Sequence, residues 1–392
     1  MDYGGFMKKY AILAVFMICT IAQAQWTNQT TDCLNRNDRL QATWTPKETP
    51  QAWLDIAMSS DGKYQSAVVD SGNIWISADY GVSWIRKATV QYWFSIAVSG
   101  NGKYQTAISG GDPSNTDYIG SIWISKDFGN TWTQKVSGKD WFCLAMSSDG
   151  RYQTAPAYGD FIWVSMDYGN NWTQKASAQT WAFIAMSSDG RIQTAPAGGD
   201  NIYVSWDYGN SWKPKAAAQN WLYVAMSDDG RMQTASENDG FLWVSFDCGN
   251  TWVQKASPQS WIYLAMSGNG KYQTATVFDS SYILVSKDYG HTWLQKTTAQ
   301  SFLGVIISSE GAIQTAFANN GYICVSSDYG ETWNQQATSQ SWSWAALSND
   351  GKIQTAVAFD GYIWRYGLEI DKNKAKTNPM RNHRFNKGFG RK

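Results

Sequence analysis

Charge, proline, histidine and long apolar runs are all scarce in this 392-residue chain, and each shortage removes a class of explanation. Charged residues make up 16% of the sequence, the formal net charge is zero, and there are 8 prolines and two histidines. Only one histidine, His291, lies in the body of the chain, so imidazole-centred catalysis and histidine metal sites have little to work with. The longest apolar run, Ala11 to Ile21, is shorter than the roughly 20 residues a membrane helix needs. Cysteine is sparse too. Beyond Cys19 there are Cys33, Cys143, Cys248 and Cys324, at no metal-ligand spacing, so neither a metal nor another cofactor is expected. Their even number suits bridges, but they fall at unrelated points of the pattern described below, which suits separate thiols equally.

Aromatic residues are abundant instead, at 15% with 23 Trp, a composition typical of a β-rich globular chain. The N-terminus "MKKYAILAVFMICTIAQA" places two lysines before the apolar run and Ala22-Gln23-Ala24 after it, the layout of a cleaved secretory leader over residues 1–24. A secreted, extracellular location is therefore expected, or a periplasmic one in a bacterium. The tail, 368–392, carries 8 Lys+Arg against Glu369 and Asp371 and reads as basic and disordered. Residues 25–367 are left with 22 Lys+Arg and 29 Asp+Glu, a mildly acidic body that argues against nucleic acid as a partner.

The octet "SADYGVSW" at 77–84 recurs as "SKDFGNTW", "SMDYGNNW", "SWDYGNSW", "SFDCGNTW", "SKDYGHTW" and "SSDYGETW". Aligned on the aromatic that opens each segment (Trp53, Trp93, Trp141, Trp181, Trp221, Trp261, Phe302, Trp342), the units are 40, 48, 40, 40, 40, 41 and 40 residues apart. Each holds four strand-like runs separated by turn signals. In the fourth, "WAFIAMS", "IQTAPA", "IYVSW" and "WKPKA" are divided by "SDGR", "GGDN" and "DYGNS". Such a period with such runs predicts an all-β, eight-bladed β-propeller of four-stranded blades. The eighth unit stops after its third run, "GYIWRYG", while "ATWTPK" upstream has its Trp44 40 residues before Trp84. The N-terminal strand is thus expected to complete the last blade, with 25–43 as a lead-in and 44–367 as the propeller. A seven-bladed ring is the alternative, because only seven octets occur.

Within the octet, Asp79, Asp127, Asp167, Asp207, Asp247, Asp288 and Asp328 sit where a short carboxylate accepts backbone N–H groups across its own turn. The closing Trp84, Trp132, Trp172, Trp212, Trp252, Trp293 and Trp333 are expected to drive their rings back between strands. The octet is read as a construction part. A glutamine in the second run of every unit, from Gln65 to Gln354, is expected to link neighbouring blades; lining the central channel is its alternative role.

With seven octets in fixed phase, the chain resembles the Asp-box, or bacterial neuraminidase repeat, propellers, a group that includes sialidases, the sortilin ectodomain, xyloglucan-cleaving glycosidases and a photosystem II assembly factor. The resemblance spans 44–367 and implies the fold. A sialidase would require three convergent arginines, a Tyr/Glu nucleophile pair and an acid Asp. The body offers Arg86, Arg151, Arg191, Arg231 and Arg365, of which the middle three repeat one turn position, so no catalytic residue is assigned. A two-carboxylate glycoside hydrolase stays open as a second reading, and a structural or assembly scaffold as a third.

The loops between second and third runs vary most. They supply the candidate ligand contacts Asp112, Asp117 and Tyr118 in blade two, Tyr158 and Asp160 in blade three, Asp200 in blade four, Glu237 and Asp239 in blade five, Asp279 in blade six and Asp360 in blade eight. Set beside the ring of opening Trp residues, this acidic rim suits sugar stacking or the grip of a partner protein's loop. The competing reading is turn chemistry, Asp and Asn being tolerant of left-handed backbone. Trp206, at a variable octet position, is a further candidate contact. The expectation is a secreted, non-catalytic propeller that binds a glycan or an extracellular protein on this face.

Overall fold

A computed structural model describes residues 43–367, apart from 111–118, 182, 279 and 299. The described residues form eight antiparallel sheets. In the first blade the order from the central channel outward is Trp53–Met58, Gln65–Val69, Gly72–Ser77 and Ile85–Gln91. Blade eight is completed as expected. Thr43–Gln51 pairs with Gly361–Gly367, placing Trp44 opposite Tyr366 and Lys47 opposite Ile363. The ring therefore has eight blades and no unpaired chain end at its seam, and the seven-bladed alternative falls. Blade five gains a short fifth strand, Gly198–Asp200, lent by the loop of blade four.

The hydrophobic core is divided among the gaps between blades. Trp93, for example, packs against Ile74 and Ile76 of blade one and Ile96 and Ala107 of its own blade. The eight opening aromatics are at most 4% exposed, and burying each stabilises the ring by about 2–3 kcal/mol. Five of them spend their indole N–H on the carbonyl that heads the preceding blade's third strand, as in Trp93 to Gly72 at 2.9 Å and Trp53 to Gly361 at 2.9 Å.

Two circular hydrogen-bond chains run round the ring. The glutamine of each second strand donates to the carbonyl of the glycine three residues before it and accepts the hydroxyl of the preceding blade's Thr or Ser. Gln193, for instance, donates to Gly190 O at 3.1 Å and accepts from Thr154 at 2.7 Å. All eight glutamines are at most 2% exposed, so the ladder reading holds and the channel-lining one does not. The second chain is backbone to backbone at the inner turns. Ser60 N donates to Gly100 O, Gly100 N to Ser148 O, and so on through Asn349 N to Ser60 O, at 2.7–2.9 Å.

The octets close the same end of blades one to seven. In all seven, one carboxylate oxygen accepts the backbone N–H four residues on and the other accepts that residue's side chain, as in Ser83 N to Asp79 at 2.9 Å and Ser83 Oγ to Asp79 at 2.6 Å. The residue after each Asp is itself left-handed, for example Tyr168 at φ 62° followed by Gly169 at φ 78°. A Cβ on Gly169 would come within 2.8 Å of Ile124 and 3.0 Å of Gln153, which accounts for the invariable glycine of the octets. The strained aromatic before it is held by stacking on the tyrosine of the previous blade, as in Tyr104–Tyr168 (4.4 Å) and Tyr152–Tyr208 (4.3 Å). The closing tryptophans pack back against the cores between blades. Only Trp84 is buried; the other six are half-buried, sealing the outer end of the gap between blades. Six of the seven turn the indole N–H back to the glycine carbonyl of their own octet, at 2.9–3.2 Å.

Candidate functional site

Successive strands of a blade run in opposite directions, so the octets and inner turns share one face of the disc and the loops between second and third strands share the other. The opening tryptophans lie buried between blades beneath the variable-loop face. They offer no ring to a sugar, and the expected stacking platform beside the acidic rim is absent among the described residues.

The acidic rim itself is largely committed. Asp160 pairs with Lys139 at 2.6 Å and accepts the Phe161 N–H. Asp200 accepts the Tyr203 hydroxyl at 3.0 Å, and this phenol is pushed above its usual range by burial and by that carboxylate. Glu237 turns into its own hairpin, accepting Phe241 N at 3.0 Å and Trp243 Nε1 at 3.1 Å. Asp239 accepts the Ser260 hydroxyl, at 2.5 Å, and has φ 52°. Asp360 is exposed at φ 52°, the position held by Gly159, Gly199 and Asn320 in other blades, so turn chemistry explains why these residue types stand there. Tyr158 is half-buried, with its backbone N–H on Asp140 O. Asp112, Asp117, Tyr118 and Asp279 lie outside the described residues. Trp206 is also not the open contact expected. Its indole N–H is bonded to Cys248 O at 2.9 Å and Lys215 lies over its ring. Cys143, Cys248 and Cys324 are free thiols, the first and last of them buried.

The variable-loop face does expose aromatic rings. Phe278, Tyr322 and Tyr362, on the consecutive blades six, seven and eight, are 54%, 37% and 39% exposed. Next to that arc, Asp360 of blade eight reaches Asp70 of blade one electrostatically, and burial together with this second carboxylate pushes Asp70 above the ordinary carboxylate range. An arc of exposed rings ending in two acids that repel each other is suited to apolar and cationic side chains. The chain carries these rings in the loop stretches "FDSSY", "NNGY" and "FDGY", beside the Asp and Asn residues of the turns.

The second feature missed by sequence reasoning lies in the channel. The third residue of each inner strand repeats as Asp55, Ser95, Cys143, Phe183, Tyr223, Tyr263, Gly304 and Trp344, so these positions form one layer. Their divergence breaks the eightfold symmetry. Four aromatic rings meet there: Phe183–Tyr223 at 4.9 Å, Tyr223–Tyr263 at 5.2 Å and Tyr263–Trp344 at 5.1 Å between centroids. On the other side of the layer, Asp55 accepts Ile56 N (2.7 Å), Ser95 Oγ (2.8 Å) and Ile96 N (2.9 Å). Burial outweighs these bonds and pushes its carboxyl up to about 6. Among the described residues no group of three or more His, Cys, Asp or Glu side chains converges as a metal site would require, and no helix is long and apolar enough to cross a membrane.

No family model matches the chain, and no curated protein matches it in sequence. Solved structures do match in shape. A GH74 xyloglucanase from Xanthomonas campestris is 14% identical with a TM-score of 0.56, covering 74% of this chain, which spans 54% of that enzyme. YCF48 bound to a D1 peptide is 14% identical, TM-score 0.53, over 86% of this chain and 99% of its own. Sqt1 from Chaetomium thermophilum, bound to the N-terminus of the ribosomal protein L10, is 13% identical, TM-score 0.60, over 85% and 100%. At such identities the likeness is one of fold: all three share the β-propeller architecture with this chain.

Proposed function

We propose that this protein, exported by its N-terminal leader, is a non-catalytic propeller that binds an extended peptide segment of a partner protein on its variable-loop face. One observation carries the reading: the face exposes Phe278, Tyr322 and Tyr362 on three adjacent blades while every opening tryptophan is buried. Exposed rings beside the Asp70–Asp360 pair favour a segment with apolar and basic side chains. The Asp-box resemblance fits a scaffold of this kind, since the octet carboxylates are taken up by their own turns. Two propellers of similar shape are bound to peptides, YCF48 and Sqt1, which supports the reading by analogy of fold alone.

Panning a displayed random-peptide library on the immobilised protein tests it, alongside a glycan array and a glycosidase panel. Peptides rich in Lys or Arg with aromatic residues should be selected, and their binding should fall at least about tenfold in a Phe278→Ala, Tyr322→Ala, Tyr362→Ala triple variant. Hydrolysis of a glucan, or glycan binding insensitive to the triple variant, would overturn it.

A further inference from the structure

The octet-face end of the channel is a well of about 520 Å³. Its walls are the inner strands, with the methionines Met58, Met146, Met186, Met226 and Met266 below the ring of inner turns. Its floor is formed by Phe183, Tyr263 and Trp344. Tyr263 stands nearly perpendicular to Phe183, at 88°, and to Trp344, at 85°. In such edge-to-face pairs the edge of one ring is set against the face of the next, which holds Phe183, Tyr263 and Trp344 together as one aromatic unit at the inner end of the well. No Lys or Arg lines the well, and Asp228 sits at its mouth.

Charge points the same way. Asp55, in the layer of the floor, is bonded only to neutral donors, and among the described residues no cation pairs with it. Its field reaches Tyr263, whose phenol is pushed up chiefly by burial and further by neighbouring groups that include Asp55. A carboxylate in a low-dielectric setting with no counter-charge favours a cation nearby more strongly than it would in water. Anionic ligands would find no partner, and a neutral apolar one would leave the field unused.

We infer that the central well is a binding site for an organic cation, an alkylated ammonium group carried on a small apolar body. The cation sits against the faces of Phe183, Tyr263 and Trp344, and the methionine thioethers, soft and adaptable in shape, enclose the alkyl groups. The volume lies within the usual span of small-ligand sites. Because the well opens on the octet face, the inference is independent of peptide binding at the opposite face.

The test titrates the full chain at pH 7.5 with choline and with its neutral isostere 3,3-dimethylbutan-1-ol, by calorimetry and by saturation-transfer NMR. Choline should bind saturably and at least about tenfold more tightly than the alcohol. Asp55→Asn should bring the two affinities together by weakening choline alone, and Tyr263→Leu should weaken choline about tenfold or more. Equal affinity of the wild-type protein for the two probes, or no saturable choline binding, would overturn the inference without recourse to any variant. Choline binding unchanged in both variants would overturn it as well.

Discussion

Thr355 of blade eight donates its hydroxyl to Gln65 of blade one at 2.8 Å. That bond joins residues 290 positions apart and makes the eight glutamine links a closed circle. Each link satisfies a buried hydroxyl, a buried amide and a glycine carbonyl together, so it is cheap to keep and costly to break. Replacing Gln193 by Leu strands the Thr154 hydroxyl and the Gly190 carbonyl. Stability should fall by about 2–3 kcal/mol, read as a lower urea midpoint. Thr154→Val, which removes one donor only, should cost about 1 kcal/mol.

The seam has its own latch. Where blades two to seven each meet a Val or Ile of the preceding blade at the octet glycine, the equivalent position of blade eight is Arg365, which is 7% exposed and donates Nε–H to Tyr80 O of blade one at 2.7 Å. Arg365→Met should lower stability by about 1–3 kcal/mol. Deleting residues 25–51 removes the outer strand and the buried Trp44 with it, and the loss should exceed the roughly 2–3 kcal/mol of that one side chain. Thermal melting compares the two. An unchanged midpoint in the deletion would mean that strand pairing at the seam does not hold the ring.

Glu237, chosen from sequence as a ligand contact, should behave as a structural residue. Glu237→Ala unpairs the Phe241 N–H and the Trp243 indole. Stability should fall by about 1–2 kcal/mol in chemical denaturation, with any peptide affinity per folded molecule unchanged.

Acid should act in two opposite limbs. Asp55 has a folded pKa near 6, raised from 3.8, so its charged form is a burden to the folded state above pH 6. The burden lifts as pH falls from 6 to 4, a gain on the order of 3 kcal/mol. The octet carboxylates are shifted the other way. Partial burial opposes ionisation, but hydrogen bonds from hydroxyl, amide and backbone donors outweigh it, and Asp328 is held at about 2. Their contribution is present above pH 4 and is lost as pH falls through the folded values towards 2. The melting temperature should therefore rise between pH 7 and pH 4 and drop below that. Asp55→Asn should remove most of the rise, leaving the smaller part that Asp70 contributes, and leave the drop unchanged.

The sequence by itself determined the architecture. A 40-residue period, four strand-like runs in each unit and a missing outer run matched by "ATWTPK" specify an eight-bladed ring closed by its own N-terminal strand, because only that arrangement pairs every run. The glutamine ladder was legible for the same reason, since a residue repeated eight times at one register position meets its equivalents in the next blade. Tertiary structure decided what is surface. Trp53 and its seven counterparts and Phe278 are all large rings in an aromatic-rich chain, yet the former are closed between blades and the latter is open, because the gap between blades takes one face of each strand and the disc leaves its loop tips to solvent. It also decided which residues share the channel. Asp55, Tyr263 and Trp344 are separated by up to 289 positions and follow no motif. They come together because inner strands of all eight blades converge on one axis, so that a position read as a variable third residue along the chain becomes a single layer in the folded ring.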